Sequence, residues 1–317
     1  MNSINVLITG IGGDIGQGVL KCLQEASFPL SLIGCDMDAF AGGRNLVKVF
    51  RQAPAVKMTE MYSSFLNDLI KQERVTYVIP TSEAEISFIG ENRSRFPEDV
   101  VFLINENSVV RQFLDKYETT LFLKEQGLAY PKTYLLEDYC GELSFPVLLK
   151  PRRGCGGKGI VLVHTQEEFD FYKKQSKALV VQEFINSDDE YTITVFSDGD
   201  KFYHIGFKRS LGYGSLSKIA HLVDDPAIKE LAEKIVQGIR LKGSLNIQCK
   251  KTAKGYVPFE INPRFSSTVY TRHYFGFTDV LWWIEQKEGR NFTYSQKYKK
   301  GVAVRVLGET FFDMVVS

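Results

Sequence analysis

The chain has 317 residues, 44% hydrophobic and 24% charged, and its 39 basic against 38 acidic side chains leave a formal net charge of +1. That length supports two or three domains with ample core. The even charge argues against a protein built chiefly to hold a nucleic-acid backbone or an anionic membrane surface. No apolar run approaches the roughly 20 residues needed to span a bilayer. Residues 6–18 break into glycine-rich sequence before an apolar core of signal-peptide length forms, so the cytoplasm is the expected compartment.

Residues 4–9 read as a short apolar strand running into Gly10-Ile11-Gly12-Gly13-Asp14-Ile15-Gly16, after which 17–25 has helical spacing and 30–35 is a second strand ending at Asp36. This opening predicts a doubly wound α/β domain whose glycine turn can approach a ligand. One reading is a dinucleotide site with Asp36 on a ribose hydroxyl; the other is a β-loop-α entry that holds no nucleotide. A later strand over 76–79 runs into Pro80-Thr81-Ser82-Glu83, where Glu83 either receives a substrate ammonium group or simply starts the next helix. Val101 to Ile104 closes the domain.

Apolar spacing predicts one helix over 107–126, closed by Gly127, with Asp115 and Lys116 near its middle. Residues 145–150 read as a buried strand leading into Pro151-Arg152-Arg153-Gly154-Cys155-Gly156-Gly157-Lys158-Gly159, and 160–163 resumes as a strand. A glycine-rich loop between two strands, with cations at both ends, can lay N–H groups over a polyphosphate while Lys150 and Lys158 answer its charge. It lacks the GK[ST] of a Walker loop, and the bland alternative is a flexible hairpin turn. Five scattered cysteines (Cys22, Cys35, Cys140, Cys155, Cys249) with no CxxC pair give no sign of a disulfide framework or zinc knuckle. They read as mostly buried thiols, with Cys155 placed among cations that lower a thiol pKa.

Residues 179–185 form a strand ending near Glu183 and Ile185, a hinge suited to offering backbone groups to an adenine edge, with Glu190 beyond it for ribose hydroxyls. A hairpin over 190–207 turns at Asp198-Gly199-Asp200 and leaves Lys208 and Arg209 as a cationic pair for a carboxylate or phosphate. Residues 212–217 are a candidate mobile cover. The helices at 226–239 and 278–285, the latter with Trp282 and Trp283, read as structural. A final strand is expected at 302–307 and a docked apolar tail at 311–317. No two of His164, His204, His221 and His273 have metal-ligand spacing; His273 and Arg272 could touch a substrate.

Near the end, 243–250 and 256–262 read as paired strands. Period-two alternation puts Glu260 and Asn262 on one face, with Gln248 beside them. Three oxygen donors of low total charge suit Mg²⁺ that keeps waters and phosphate oxygens as further ligands; a half-buried hairpin with a polar outer face is the competing reading. Arg264 follows a strand-stopping proline, its fork matched to a phosphoryl group.

Taken together, Lys116, Lys150, the 154–159 loop, the 183–190 hinge, Gln248 and Glu260-Ile261-Asn262-Pro263-Arg264 resemble an ATP-grasp ligase. The resemblance is to the synthetase halves of the carbamoyl-phosphate synthase large subunit and to amino-acid ligases of the pyrrolysine-pathway type. It implies a Rossmann-like parallel α/β domain over 1–106, then a two-lobed α+β module with a small lobe over 107–187 and a large lobe over 188–317. It further implies Lys116, Lys150, Gly154, Gly156, Gly157 and Lys158 on ATP phosphates, Glu183, Phe184 and Ile185 on adenine, and Glu190 on ribose. Gln248, Glu260 and Asn262 would hold Mg²⁺ or Mn²⁺, Arg264 and Lys208 would serve the phosphoryl transfer, and Gly12, Glu83, Arg209 and Arg272 the substrates. Phe265-Ser266-Ser267 departs from relatives that often carry a further glycine or arginine there.

The implied reaction activates a carboxylate as an acyl phosphate that an amine then attacks, giving an amide, ADP and phosphate. The expected partners are small-molecule carboxylates and amines, with no nucleic acid and no membrane, and the usual assembly is a homodimer through the N-terminal domain. Biotin carboxylation and full carbamoyl-phosphate synthesis are not expected, since the sequence stops soon after the module. An NAD(P)-dependent reductase resting on residues 10–16 and Asp36, and a catalytically silent nucleotide-binding protein, stay open as alternatives.

Overall fold

The computed structural model describes residues 4–154, 156–174, 178–212, 216–294, 297–306 and 308–312. The chain forms two compact units: Met1–Asn107, Arg264–Tyr298 and Val304–Ser317 make one, and Ser108–Pro263 with Lys299–Ala303 the other. Among the described residues no helix is long and apolar enough to cross a membrane.

The first unit is built on a parallel sheet of β1 (Ile4–Thr9), β2 (Leu30–Asp36), β3 (Val49–Gln52), β4 (Tyr77–Ile79) and β5 (Val101–Phe102), in the order β3-β2-β1-β4-β5. Three helices, α1 (Asp14–Gln24), α2 (Thr59–Gln72) and α3 (Glu83–Glu91), supply the crossovers. Parallel strands need both faces covered. Leu7, Ile33 and Val78 accordingly pack with Tyr62, Leu66 and Leu69 of α2 and Ile89 of α3, while Val6 and Ile8, on the other side of the pleat, are also fully buried. The strand order reverses direction between β1 and β4, and this is where doubly wound sheets hold ligands. There Thr81 Oγ1 donates to Thr9 O at 2.8 Å, tying the loop after β4 to the end of β1.

The second unit starts with α4 (Asn107–Phe113) and α5 (Lys116–Glu125). The sequence predicted one helix here. The break has a local cause: Asp115 adopts an extended conformation and caps α5, its carboxylate accepting from the N–H groups of Tyr117 and Glu118 at 3.0 and 3.3 Å. A four-stranded antiparallel sheet follows, ordered β6-β9-β7-β8, from β6 (Thr133–Leu135), β7 (Val147–Pro151), β8 (Val161–Val163) and β9 (Leu179–Glu183), with α6 (Gln166–Lys173) beside it. The second sheet runs β14-β13-β10-β11-β12-β15, from β10 (Glu190–Ser197), β11 (Phe202–Leu211), β12 (Ser217–Val223), β13 (Gly243–Thr252), β14 (Gly255–Asn262) and β15 (Val302–Val304), with α7 (Pro226–Ile239) between β12 and β13. One face of this sheet is apolar: Tyr191, Ile193, Val195, Leu245, Ile247 and Ile261 pack with Ile228, Leu231 and Ile235 of α7 and with Phe122 of α5.

Two last helices, α8 (Val269–Tyr274) and α9 (Asp279–Lys287), return to the first unit and pack on α1. Gly18 of α1 leaves room that Val269 fills; a Cβ at Gly18 would lie 2.5 Å from Val269 Cγ1. Trp282 and Trp283 are buried in this region. The expected strand at 302–307 is found over Val302–Val304, while Leu307 and most of the 311–317 tail lie outside the described residues.

Candidate functional site

The second unit brings three pieces of sequence together. The first is the glycine loop after β7. Gly154, Gly156, Gly157 and Gly159 have φ of 141°, 68°, 69° and 74°. Side chains with a Cβ rarely adopt such angles, so the loop's path depends on glycine. Its root is stitched to the start of α5: Lys116 N donates to Arg152 O at 3.0 Å, Lys116 Nζ to Gly154 O at 2.8 Å, and Arg152 Nε to Asp115 Oδ2 at 2.8 Å. Asp115 therefore fixes both the helix start and the loop entry, and Lys116 is carried to the loop by them. Lys158 is exposed at the loop, while Cys155 lies outside the described residues.

Lys150, at the end of β7, is 5% exposed. Burial pulls its ammonium down to about 8; Glu260 and Glu190 oppose the shift, while Lys116 and Lys250 add to it. Those four charges lie on α5, β10, β13 and β14, so the cation of the small sheet meets the carboxylates of the large one. Its Nζ donates to Gln182 Oε1 at 2.6 Å and stands 5.4 Å from the centre of the Phe259 ring. The hinge after β9 is the second piece. Glu183, Phe184 and Ile185 form part of the wall of a cavity of about 140 Å³, which Leu148, Ile160, Phe259, Lys150, Lys250 and Glu190 also line. Glu183 is itself held by the residue before β6, donating its N–H to Lys132 O at 2.8 Å and accepting from Lys132 N at 3.0 Å through its carboxylate.

The third piece is the face of the large sheet opposite α7. Gln248 stands directly across from Glu260, and Asn246 across from Asn262. Directly opposed residues share a face, and the same face continues onto β10 through Thr192 opposite Gln248 and Thr194 opposite Asn246. A bulge after Gln248 lets Phe259 stand between two paired positions. Thr192 Oγ1 donates to Asn246 Oδ1 at 2.9 Å.

Arg209, 8% exposed, donates from Nη2 to Glu190 Oε1 at 2.6 Å and to Gln248 Oε1 at 2.9 Å. Its fork therefore braces the ribose and metal candidates instead of standing open for a substrate. Among the described residues no donor hydrogen-bonds the Glu260 carboxylate. The donor set of Glu260 with the Asn262 and Gln248 amide oxygens fits a hard divalent cation, with the Gln248 oxygen shared with Arg209. No cluster of three or more His, Cys, Asp or Glu side chains suits a metal among the described residues.

Two of the expected site residues are held in ion pairs. Lys208 pairs across the sheet with Tyr191, whereas Arg209 pairs with Glu190. Alternation thus sends Lys208 to the opposite face, where it forms an exposed ion pair with Asp189 and faces away from Glu260. Arg272 is fully buried in the first unit, its Nε and Nη2 each 2.8 Å from the Asp279 carboxylate. Its guanidinium is committed to Asp279 inside the first unit. Its neighbour His273 is buried beside Glu25 at 3.3 Å.

The first unit also holds the remaining candidates. Arg264 Nη2 and Nε lie 2.6 and 3.2 Å from Glu83 Oε1, at the start of α3. Gly12 N donates to Asp36 Oδ2 at 2.7 Å, so Asp36 occupies an amide of its own glycine turn. Half of the candidate cover at 212–217, residues 213–215, lies outside the described ones. Gln182, Lys250, Asn246 and Phe259 were not singled out from sequence. For the polar ones the available signal was a polar residue in an otherwise apolar strand, two positions from a residue already chosen.

Within the second unit a small glycine-looped sheet faces a larger antiparallel sheet, with an apolar slot at the hinge between them. Residues 113–268 match the ATP-grasp domain family, and the chain carries an ATP-grasp domain behind its Rossmann-like sheet. It is 27% identical to the carbamoyl phosphate synthase large chain of Clostridium botulinum (strain Langeland), over 49% of this chain and 16% of that protein. It is 26% identical to the C-terminal section of the Aquifex aeolicus enzyme, over 84% of this chain and 54% of that section. The chain thus spans only about a sixth of the full-length large chain. The biotin carboxylase domain dimer of Hydrogenobacter thermophilus 2-oxoglutarate carboxylase, in complex with MgADP, ADP and bicarbonate, superposes with a TM-score of 0.74 at 17% identity, covering 94% of this chain and 72% of that one.

Proposed function

We propose that the protein is an ATP-dependent carboxylate–amine ligase that forms an acyl phosphate and then an amide, releasing ADP and phosphate. The observation that carries this reading is the meeting of Lys150 with Lys116, Lys250, Glu190 and Glu260 next to an apolar hinge cavity. A carboxylate is a poor electrophile because its leaving group is oxide. Phosphoryl transfer supplies a better one, and it asks the protein mainly for positioning and charge neutralisation. In this reading Lys150, Lys116, Lys158 and the N–H groups of the glycine loop hold the ATP phosphates. The hinge residues Glu183 to Ile185 hold adenine, and Glu190, braced by Arg209, holds the ribose.

Glu260, Asn262 and Gln248 would hold Mg²⁺, or Mn²⁺ in its place, which when bound supplies charge neutralisation at the phosphates. Arg264 would stabilise the transferring phosphoryl group, and Glu83 would receive the amine. Gly12 is proposed to line the substrate side. A cytoplasmic homodimer acting on small molecules completes the proposal. The reductase alternative loses support because Asp36 already accepts the Gly12 N–H, where a dinucleotide's pyrophosphate would have to bind.

The test is ADP release over a panel of small carboxylates and amines, amino acids included. At least one pair should give amide and ADP in equal amounts, and Glu260→Ala should abolish the release with the melting temperature unchanged. Binding of NADH in preference to Mg-ATP, or full turnover in Glu260→Ala, would sink the proposal.

A further inference from the structure

Gln182 is a polar side chain in the middle of the apolar strand β9, 1% exposed between the fully buried Val180 and Val181 on one side and Glu183 on the other. A buried amide is costly unless both its ends are satisfied. Here both ends are satisfied, and in one orientation only. Thr133 stands directly across from Gln182 on β6, and Leu148, two residues from Lys150 on the same face, stands across from it on β7. The three side chains Thr133, Gln182 and Lys150 therefore form a row across three neighbouring strands.

Thr133 Oγ1 donates to Pro131 O at 2.9 Å, which commits its proton and leaves its oxygen to accept. It accepts from Gln182 Nε2 at 3.0 Å. The amide nitrogen being fixed on that side, Oε1 must face the other way, and it accepts from Lys150 Nζ at 2.6 Å. A flipped amide would oppose two donors at Lys150. Thr120 Oγ1 lies 3.1 Å from Thr133 Oγ1 and 3.1 Å from Lys116 O, so the row ends at the first turn of α5. Among the described residues Gln182 Oε1 is the one hydrogen-bond acceptor of the Lys150 ammonium.

We propose that Gln182 is a positioning residue for nucleotide binding: locked by Thr133, its carbonyl oxygen takes one N–H of Lys150 and aims the other two at the phosphates. The proposal rests on the nucleotide reading given above. It adds that the aim of Lys150 is set from β6 through β9, by groups that never touch the phosphate themselves.

Calorimetric titrations with ADP and with adenosine separate this role from that of a cavity wall, because Gln182 also lines the hinge cavity. Gln182→Met should weaken ADP binding, with Mg²⁺ present, by about tenfold, the size expected for a hydrogen bond to a charged group, and leave adenosine binding unchanged. In a Lys150→Met background the same substitution should have no further effect on ADP, since coupled residues do not add. Thr133→Val, which frees the amide to rotate, should weaken ADP in the same direction with adenosine again unaffected, and serves if Gln182→Met folds poorly. Equal losses for ADP and adenosine, no loss for either, or additive losses with Lys150→Met would overturn the assignment. A wild-type protein that binds no ADP would bring down the nucleotide reading itself, and this inference with it.

Discussion

Lys150→Met should raise the stability of the nucleotide-free protein at neutral pH while removing its hold on phosphate. The ammonium is 5% exposed, and burial lowers its pKa from 10.5 to about 8. Below that value the group is charged in the folded and unfolded chains alike, and the folded state bears the full cost of burying it. As pH rises from about 8 towards 10.5 the folded state gives up a proton that the unfolded state keeps, so stability rises with pH through this window. The gap between the two values corresponds to about 3 kcal/mol. Methionine removes that cost but orphans the Gln182 carbonyl, which returns about 1–3 kcal/mol. The net gain at pH 7 is therefore small, about 0–2 kcal/mol.

The pH dependence of the difference is the sharper quantity, because every other titrating group cancels between the two proteins. Urea unfolding at pH 7 and at pH 10 should show the advantage of the methionine variant falling by about 2.5 kcal/mol over that interval. A difference that stays constant would mean that Lys150 is not held in its charged form at a cost, and the argument for a desolvated phosphate cation would fail. The wild type's ADP affinity should likewise decline as pH rises through about 8.

Glu260→Gln keeps the shape of the strand and removes the one carboxylate of the candidate metal set; it should lower ADP release about 100-fold or more with the melting temperature unchanged, and near-normal turnover would remove Glu260 from the site. Arg272→Leu removes the guanidinium that binds the buried Asp279 carboxylate and should cost about 3–5 kcal/mol in denaturant unfolding. The double substitution Arg272→Met with Asp279→Leu should recover most of that, which a ligand-binding role for Arg272 would not allow in an activity assay. Gly18→Ala pushes a methyl into Val269, 2.5 Å from where its Cβ would stand, and should destabilise the first unit by about 1–3 kcal/mol; an unchanged melting temperature would show that α8 yields freely.

Much of the site was legible because period-two alternation is a property of single strands. Glu260 with Asn262, and Gln248 across from them, follow from residue parity and a short turn, and the register bears out that placement. The glycine loop was legible for a similar reason, since its repeated glycines mark a backbone path that other residues cannot follow. What escaped was everything decided by a partner distant in sequence. The break of the predicted 107–126 helix is a local cap at Asp115, but nothing local says that Asp115 will also hold Arg152, 37 residues on. Lys208 and Arg209 looked like a pair only because adjacency was weighed above parity. Arg272 looked available until Asp279, seven residues later, took its fork. The close approach of Val269 to Gly18 is equally invisible, since a vacancy has no sequence pattern.

The large sheet turns this logic into a site. Its two faces come from the same strands and differ only in parity, yet one carries Ile193, Ile247 and Ile261 against α7 and the other carries Thr192, Gln248 and Glu260. The apolar face stabilises the fold, each fully buried aliphatic side chain contributing about 1.5–3 kcal/mol. The polar face has to satisfy its own groups. Thr192 does so with Asn246, and Arg209 with Glu190 and Gln248. Lys150 then feels Lys116 and Lys250 as well as the carboxylates of Glu260 and Glu190, while its own ammonium donates to the neutral Gln182. With the Glu190 carboxylate held by Arg209, the ammonium groups of Lys150, Lys116 and Lys250 outnumber the Glu260 carboxylate near the apolar slot. A polyanion with an aromatic base at one end answers that excess, and this charge balance, more than any one motif, is the physical reason to expect a nucleoside triphosphate there.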